Sequence, residues 1–90
     1  MPPEAAELAL ELCRYLQERI LEKGVACAPD TLFSDLGIDS MAIIELVMYL
    51  ERKHGIVLPE DALRQEHLRS AAALARCAVA VRNDTLTGSA

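Results

Sequence analysis

The side chains able to act as nucleophile, base or metal ligand are few: Ser40 beside Asp39, three cysteines, two histidines, and carboxylates spread along the chain. A serine nucleophile needs a base for its proton and donors for an oxyanion. Two isolated histidines, His54 and His67, offer no convincing triad, and Ser40 does not sit in a Gly-x-Ser-x-Gly turn. A calcium loop begun at Asp30 fails, because Leu32 and Asp35 fall where a ligand and a glycine are required. Cys13, Cys27 and Cys77 are odd in number and contain no Cys-x-x-Cys pair, which fits neither a zinc site nor a secreted disulfide framework. Cys13 and Cys77 lie in apolar helical patterns and read as small hydrophobes. His54 reads as a cation matched to a helix C-terminus or as a solvated residue, and His67 has no companions for a metal set. No metal and no catalytic activity are expected.

What remains is Ser40, and its surroundings are specific. Asp35–Leu36–Gly37–Ile38–Asp39–Ser40 is a short turn that runs directly into an apolar helix of about Ser40–Lys53. Gly37 takes backbone angles that are costly elsewhere, so it suits a tight approach to a helix start. Asp39 suits the N-cap, where its carboxylate accepts first-turn amide protons and meets the positive end of the dipole. Ser40 then occupies the first helical position with its hydroxyl outward. At about 100° per residue, Ile43, Leu46, Val47 and Leu50 form a core stripe. Met41, Ile44 and Met48 fall nearly opposite, flanked by Glu45 and Arg52. A soluble helix normally carries one apolar stripe. The second one reads either as extra core under a loop or dimer partner, or as a methionine-rich contact surface.

The rest of the chain supplies helices to position that turn. Hydrophobic residues make up 52% of it and aromatics only 3%, so the core must be aliphatic, and its Leu and Ala favour helix over strand. Pro3 fits a first helical position, and Leu8, Leu12, Leu16 and Ile20 mark the buried stripe of a first helix that stops at Gly24. Glu4, Glu7, Glu11, Glu18 and Glu22 keep its other side acidic and solvated. A long connector, Val25–Ile38, follows, pinned by Leu32, Phe33 and Leu36. Pro59 opens a brief third helix, Pro59–Leu63, with Glu60 and Asp61 in its first turn. Ser70 caps the last helix, Ala71–Val81, whose Leu74, Ala75, Ala78 and Val81 face inward. Three longer helices, one short third helix and one long loop between the first two make an all-α, small four-helix bundle. Ninety residues allow one domain, 1–82, with 83–90 a frayed tail.

Leu36–Gly37–Ile38–Asp39–Ser40, followed by Met41 and the helix, resembles the attachment motif of acyl carrier proteins, usually Gly-x-Asp-Ser-Leu, and the resemblance covers about residues 4–82. It implies the fold topology of that family. It also implies that the Ser40 hydroxyl bears a covalent 4′-phosphopantetheine cofactor, with Gly37, Asp39 and Met41 shaping the site. The arm's thiol would carry a biosynthetic intermediate as a thioester. The partners so implied are a phosphopantetheinyl transferase and acyl-loading and acyl-processing enzymes that dock on the second helix. Met41, Ile44, Glu45, Met48, Glu51 and Arg52 are the expected docking residues. The resemblance also raises the prospect of an acyl-sheltering interior, with Ile56, Leu58, Ala71 and Ala75 as candidate lining.

The formal net charge of −5 argues against nucleic acid and anionic membrane partners. No apolar run approaches a membrane span, and Met1–Glu4 opens without a signal sequence, so a cytoplasmic monomer is expected. Departures from the family pattern bear on the cargo. Met41 replaces the usual Leu, Ala42 follows it, and Arg52–Lys53–His54 end the helix with positive potential. A specialised fatty acid, lipid or polyketide biosynthesis pathway fits these differences, while an aminoacyl or peptidyl carrier and an unmodified helical interaction module remain alternatives.

Overall fold

The computed structural model describes residues 3–86. Three α-helices, α1 (Pro3–Arg19), α2 (Ser40–His54) and α3 (Ala71–Leu86), are joined by connectors that contain short 3-10 turns at Phe33–Leu36, Glu60–Ala62 and Gln65–His67. No strand occurs among the described residues, apart from a single isolated bridge between Leu32 and Ser70.

The core is aliphatic except for Phe33. Leu8, Leu12 and Leu16 of α1 meet Leu46 and Leu50 of α2, Leu74 of α3, and Ile56 and Leu58 of the second connector. α1 and α3 make the closest helix pair, because Ala71, Ala75 and Ala78 of α3 are buried and let the backbones approach. The expected inner stripe of α2 is graded: Leu46 and Leu50 are fully buried, whereas Ile43 and Val47 are half-buried against the core. Ile56, Leu58, Ala71 and Ala75, candidate lining for a cargo, are part of this closed core.

Both ends of α2 lie close to where the sequence places them. Asp39 is the N-cap, and its side chain accepts the Ala42 N–H at 2.9 Å. Gly55 ends the helix in the left-handed region at φ 66°, with its N–H returned to Leu50 and Glu51 carbonyls. α3 likewise begins at Ser70, whose hydroxyl accepts the Ala73 N–H at 3.1 Å.

Three boundaries differ from expectation. α1 stops at Arg19, not at Gly24: the Ile20 and Leu21 amides both close on the Leu16 carbonyl, and the chain then turns again with Val25 N–H on Glu22. Gly24 has positive φ, but within that later turn. The segment expected as a short third helix forms only one 3-10 turn, Glu60–Ala62, with Pro59 as its cap residue. Leu63 leaves helical geometry at ψ 57° and is exposed, so no apolar face offsets the cost of nucleating an α-helix there. α3 runs on past Val81 to Leu86; of the tail expected over 83–90, residues 87–90 lie outside the described residues.

The long connector is tied down chiefly by backbone and by one ring. Phe33 is buried and its N–H donates to the Arg69 carbonyl at 2.7 Å, while the Ala72 N–H donates to the Pro29 carbonyl at 2.8 Å. Leu36 is half-buried, but the Leu32 side chain is exposed; Leu32 contributes its backbone, in the bridge to Ser70.

Candidate functional site: the turn before the second helix

The Phe33–Leu36 turn ends on Gly37, which has φ 71° and ψ 22° and returns its N–H to Phe33 and Ser34 carbonyls. A Cβ at Gly37 would meet nothing within 4 Å, so the need for glycine there is conformational and not spatial. Two residues on, Asp39 is extended, at φ −93° and ψ 178°, and α2 begins at Ser40. The buried Phe33 ring anchors one side of this turn and the Asp39 cap the other, so Ser40 stands on a fixed first helical turn. Ser40 is exposed. A cleft of about 420 Å³ opens beside it, between Leu36–Asp39 and Ala42 on one wall and Ile20, Leu21 and Val25 on the other. A second cleft, of about 390 Å³, lies between the connector and residues 65–69, with Phe33, Ile38, Ile43 and Leu68 in its wall.

The outer face of α2 carries Met41 at 72% exposure, Ile44 at 51% and Met48 at 49%. At these exposures the second stripe is surface within this chain, and among the described residues no loop covers it. Glu51 and Arg52 are exposed on the same helix. Glu45 is also exposed, and it accepts a 2.9 Å hydrogen bond from the Tyr15 hydroxyl of α1. Arg52, Lys53 and His54 fill the last turn, opposite in sign to the helix C-terminus.

A cluster that sequence reading misses fixes the far end of α2. Glu11 of α1, read there as a solvated acid, takes hydrogen bonds from the Tyr49 hydroxyl and from His54 Nε2, the latter at 2.8 Å, with Lys53 Nζ at 4.0 Å. Burial pushes the Glu11 carboxyl up, but the bonds from Tyr49 and His54 and the nearby His54 and Lys53 charges outweigh it, leaving the group below its ordinary value. Burial and the Glu11 bond push Tyr49 up to about 12. Tyr15, stacked on Tyr49 with ring centroids 4.4 Å apart, is raised by burial and by Glu45. The Glu11 partners lie 38 and 43 residues away, so no local signal marks the set. Its chemistry is that of a helix–helix tie, since all its members are engaged with one another.

Among the described residues no group of three or more His, Cys, Asp and Glu is arranged to hold a metal ion, and no helix is long and apolar enough to cross a membrane. What this surface presents is an exposed serine at a capped helix start, beside an apolar helix face. That combination defines a class of small helical protein that presents a serine at a capped helix start.

Comparison with known proteins gives the class a family. The family model for the phosphopantetheine attachment site matches residues 10–78. The chain is 41% identical over 64 residues to the anthracycline acyl carrier protein DpsG of Streptomyces peucetius and equally to the anthracycline acyl carrier protein DauA of Streptomyces sp. (strain C5). Each alignment covers 67% of this chain and 76% of the relative. An acyl carrier protein of Campylobacter hominis is 34% identical over 58 residues, covering 58% of this chain and 72% of its own. The chain belongs to the phosphopantetheine-attachment family, as an acyl carrier protein. The group this family carries is a covalently attached 4′-phosphopantetheine, and its members are non-catalytic carriers that work with a phosphopantetheinyl transferase and biosynthetic enzymes. The residues around Ser40 fit such a group: the serine is exposed, the turn before it is capped, and open clefts lie on its flanks.

Proposed function

We propose that the chain carries a biosynthetic intermediate as a thioester on a 4′-phosphopantetheine arm attached to Ser40, and presents it to successive enzymes of a polyketide pathway. The observation that carries this reading is the exposure of Ser40 in the first turn of α2, directly after the Asp39 cap. Ser40 Oγ attacks the pantetheine-side phosphorus of the coenzyme A pyrophosphate on a transferase and gives its proton to that enzyme. The P–O–P bond breaks, adenosine 3′,5′-bisphosphate leaves, and Ser40 becomes one ester of a phosphodiester. Asp39 holds the turn that positions the oxygen, Gly37 lets the chain enter that turn, and Met41 opens the apolar face beside it. Once attached, the arm supplies a terminal thiol that holds the acyl cargo. Tethering gives each docked enzyme a high effective concentration of that cargo.

The choice of a polyketide cargo over the fatty acyl and aminoacyl ones is supported by the two anthracycline carriers among the relatives. Docking through Met41, Ile44 and Met48, with Glu45, Glu51 and Arg52 at the rim, is supported by the exposure of that face on a helix fixed at both ends. The same reading takes the bundle as carrier-type, with the single turn at Glu60–Ala62 where a short third helix was expected, and the chain as one carrier domain acting as a cytoplasmic monomer.

Incubation with coenzyme A, magnesium and a broad-specificity phosphopantetheinyl transferase, read by intact mass, tests the attachment. The wild type gains one phosphopantetheine and Ser40→Ala gains none. A wild type with the circular dichroism of a folded helical protein that stays unmodified would overturn the reading in favour of an unmodified interaction module.

A further inference from the structure

Cys27, in the first connector, places its sulfur 3.2 Å from that of Cys13 on the buried face of α1. Cys27 is half-exposed and Cys13 is 3% exposed. A disulfide requires about 2.05 Å between sulfurs, so closure needs an approach of only about 1 Å. The connector has the freedom to supply it, since Cys27 sits outside any helix, yet it is not loose: the neighbouring Ala28 N–H is held by Thr31 Oγ1 at 3.2 Å. The third cysteine does not compete, because Cys77 is buried on α3 with its sulfur 4.0 Å from the Ala62 carbonyl.

We propose that Cys13 and Cys27 are a reversible oxidation site, which a low-molecular-weight disulfide such as glutathione disulfide converts to an intramolecular Cys13–Cys27 disulfide tying the first connector to α1. Cys27, the accessible member, loses its proton and attacks one sulfur of the oxidant, releasing one glutathione and leaving a mixed disulfide on Cys27. Cys13 then loses its proton to water and attacks the Cys27 sulfur, expelling the second glutathione. Two protein thiols and one glutathione disulfide become one protein disulfide and two glutathione thiols. The order follows from access, because Cys27 is half-exposed and Cys13 is buried; burial and the adjacent Cys27 sulfur also push the Cys13 thiol up. Converting Cys27 to the mixed disulfide removes the second of those two effects. The tied segment includes Ile20, Leu21 and Val25, one wall of the cleft beside the attachment turn, so oxidation fixes that wall in place. Nothing in this inference depends on what Ser40 carries.

The test uses the full chain with Ser40→Ala, which has no arm thiol to interfere, with and without Cys77→Ala. After incubation with glutathione disulfide at pH 8, intact mass and non-reducing peptide mapping should show loss of two hydrogen atoms. The mapping should also show a Cys13–Cys27 crosslinked pair and a Cys77 that still alkylates after unfolding. The melting temperature should rise by roughly 10 °C and return to its starting value on reduction. Cys27→Ser should fold and show neither change. A glutathione adduct that persists on Cys27 with Cys13 free would overturn the proposal. So would a Cys27–Cys27 dimer, two thiols that remain unreacted, or a mapped disulfide that leaves melting unchanged.

Discussion

Asp39 accepts the Ala42 amide proton at 2.9 Å, and this bond, three residues long, spans Ser40 and closes the first turn of α2. Without it the first turn of α2 has one more unpaired donor.

Asp39→Ala should therefore cost about 1 kcal/mol in urea unfolding, whereas Asp39→Asn, which still caps, should stay within about 0.5 kcal/mol of wild type. The rate of phosphopantetheine transfer should fall by roughly tenfold in Asp39→Ala, because a misplaced nucleophile loses its pre-set orientation. Modification of Asp39→Ala at the wild-type rate would remove the cap from any role in presenting Ser40.

Charge placed on the outer face of α2 should separate docking from folding. Ile44→Glu or Met48→Glu, at positions already about half exposed, should leave stability within about 0.5 kcal/mol. The transferase kcat/KM should drop by roughly tenfold, as expected for a central apolar anchor. Arg52→Glu should give a smaller change that grows as salt is lowered. Unchanged kinetics for both apolar variants would dismiss this face as the docking surface.

The Glu11 tie should make stability depend on pH in a defined direction. A carboxyl whose folded pKa is depressed below 4.5 contributes stability above that value and loses it as pH falls through the lower folded value. Glu11→Gln should cost about 1 kcal/mol at pH 7, and its difference from wild type should shrink below about pH 4. Denaturant unfolding of both proteins from pH 3 to 7 measures this; parallel curves throughout would show that the cluster contributes nothing through ionisation.

Phe33 is the one aromatic ring wholly inside the bundle, at the start of the turn that leads to Gly37 and α2. Phe33→Ala should cost about 3–5 kcal/mol, and Phe33→Leu clearly less, in the same unfolding assay. Equal costs would mean that the ring's volume is not what holds the connector.

The turn that leads into α2 was readable in the sequence because its signals are local. Gly37 and Asp39 each act within four or five residues of themselves, and cap chemistry names such positions one at a time. The outer methionine stripe was readable for a related reason, since a helix surface follows from angular position alone. What escaped reading depends on distant partners. Glu11 looks like any solvated acid until α2 brings Tyr49 and His54 to it, and Cys27 looks solitary until the connector folds back on Cys13. Helix ends with competing stop signals escaped as well: α1 closes on Leu16 before Gly24 is reached, and the Pro59 segment lacks the apolar face that would carry it beyond a single turn.

The backbone ties between the first connector and the start of α3 have a consequence for cooperativity. With Phe33 donating to Arg69 and Ala72 to Pro29, neither segment can detach without breaking hydrogen bonds of the other. The stretch leading to Ser40 therefore opens to solvent exchange together with the N-terminal turn of α3, as one subglobal unit, and not as an independently fluctuating loop.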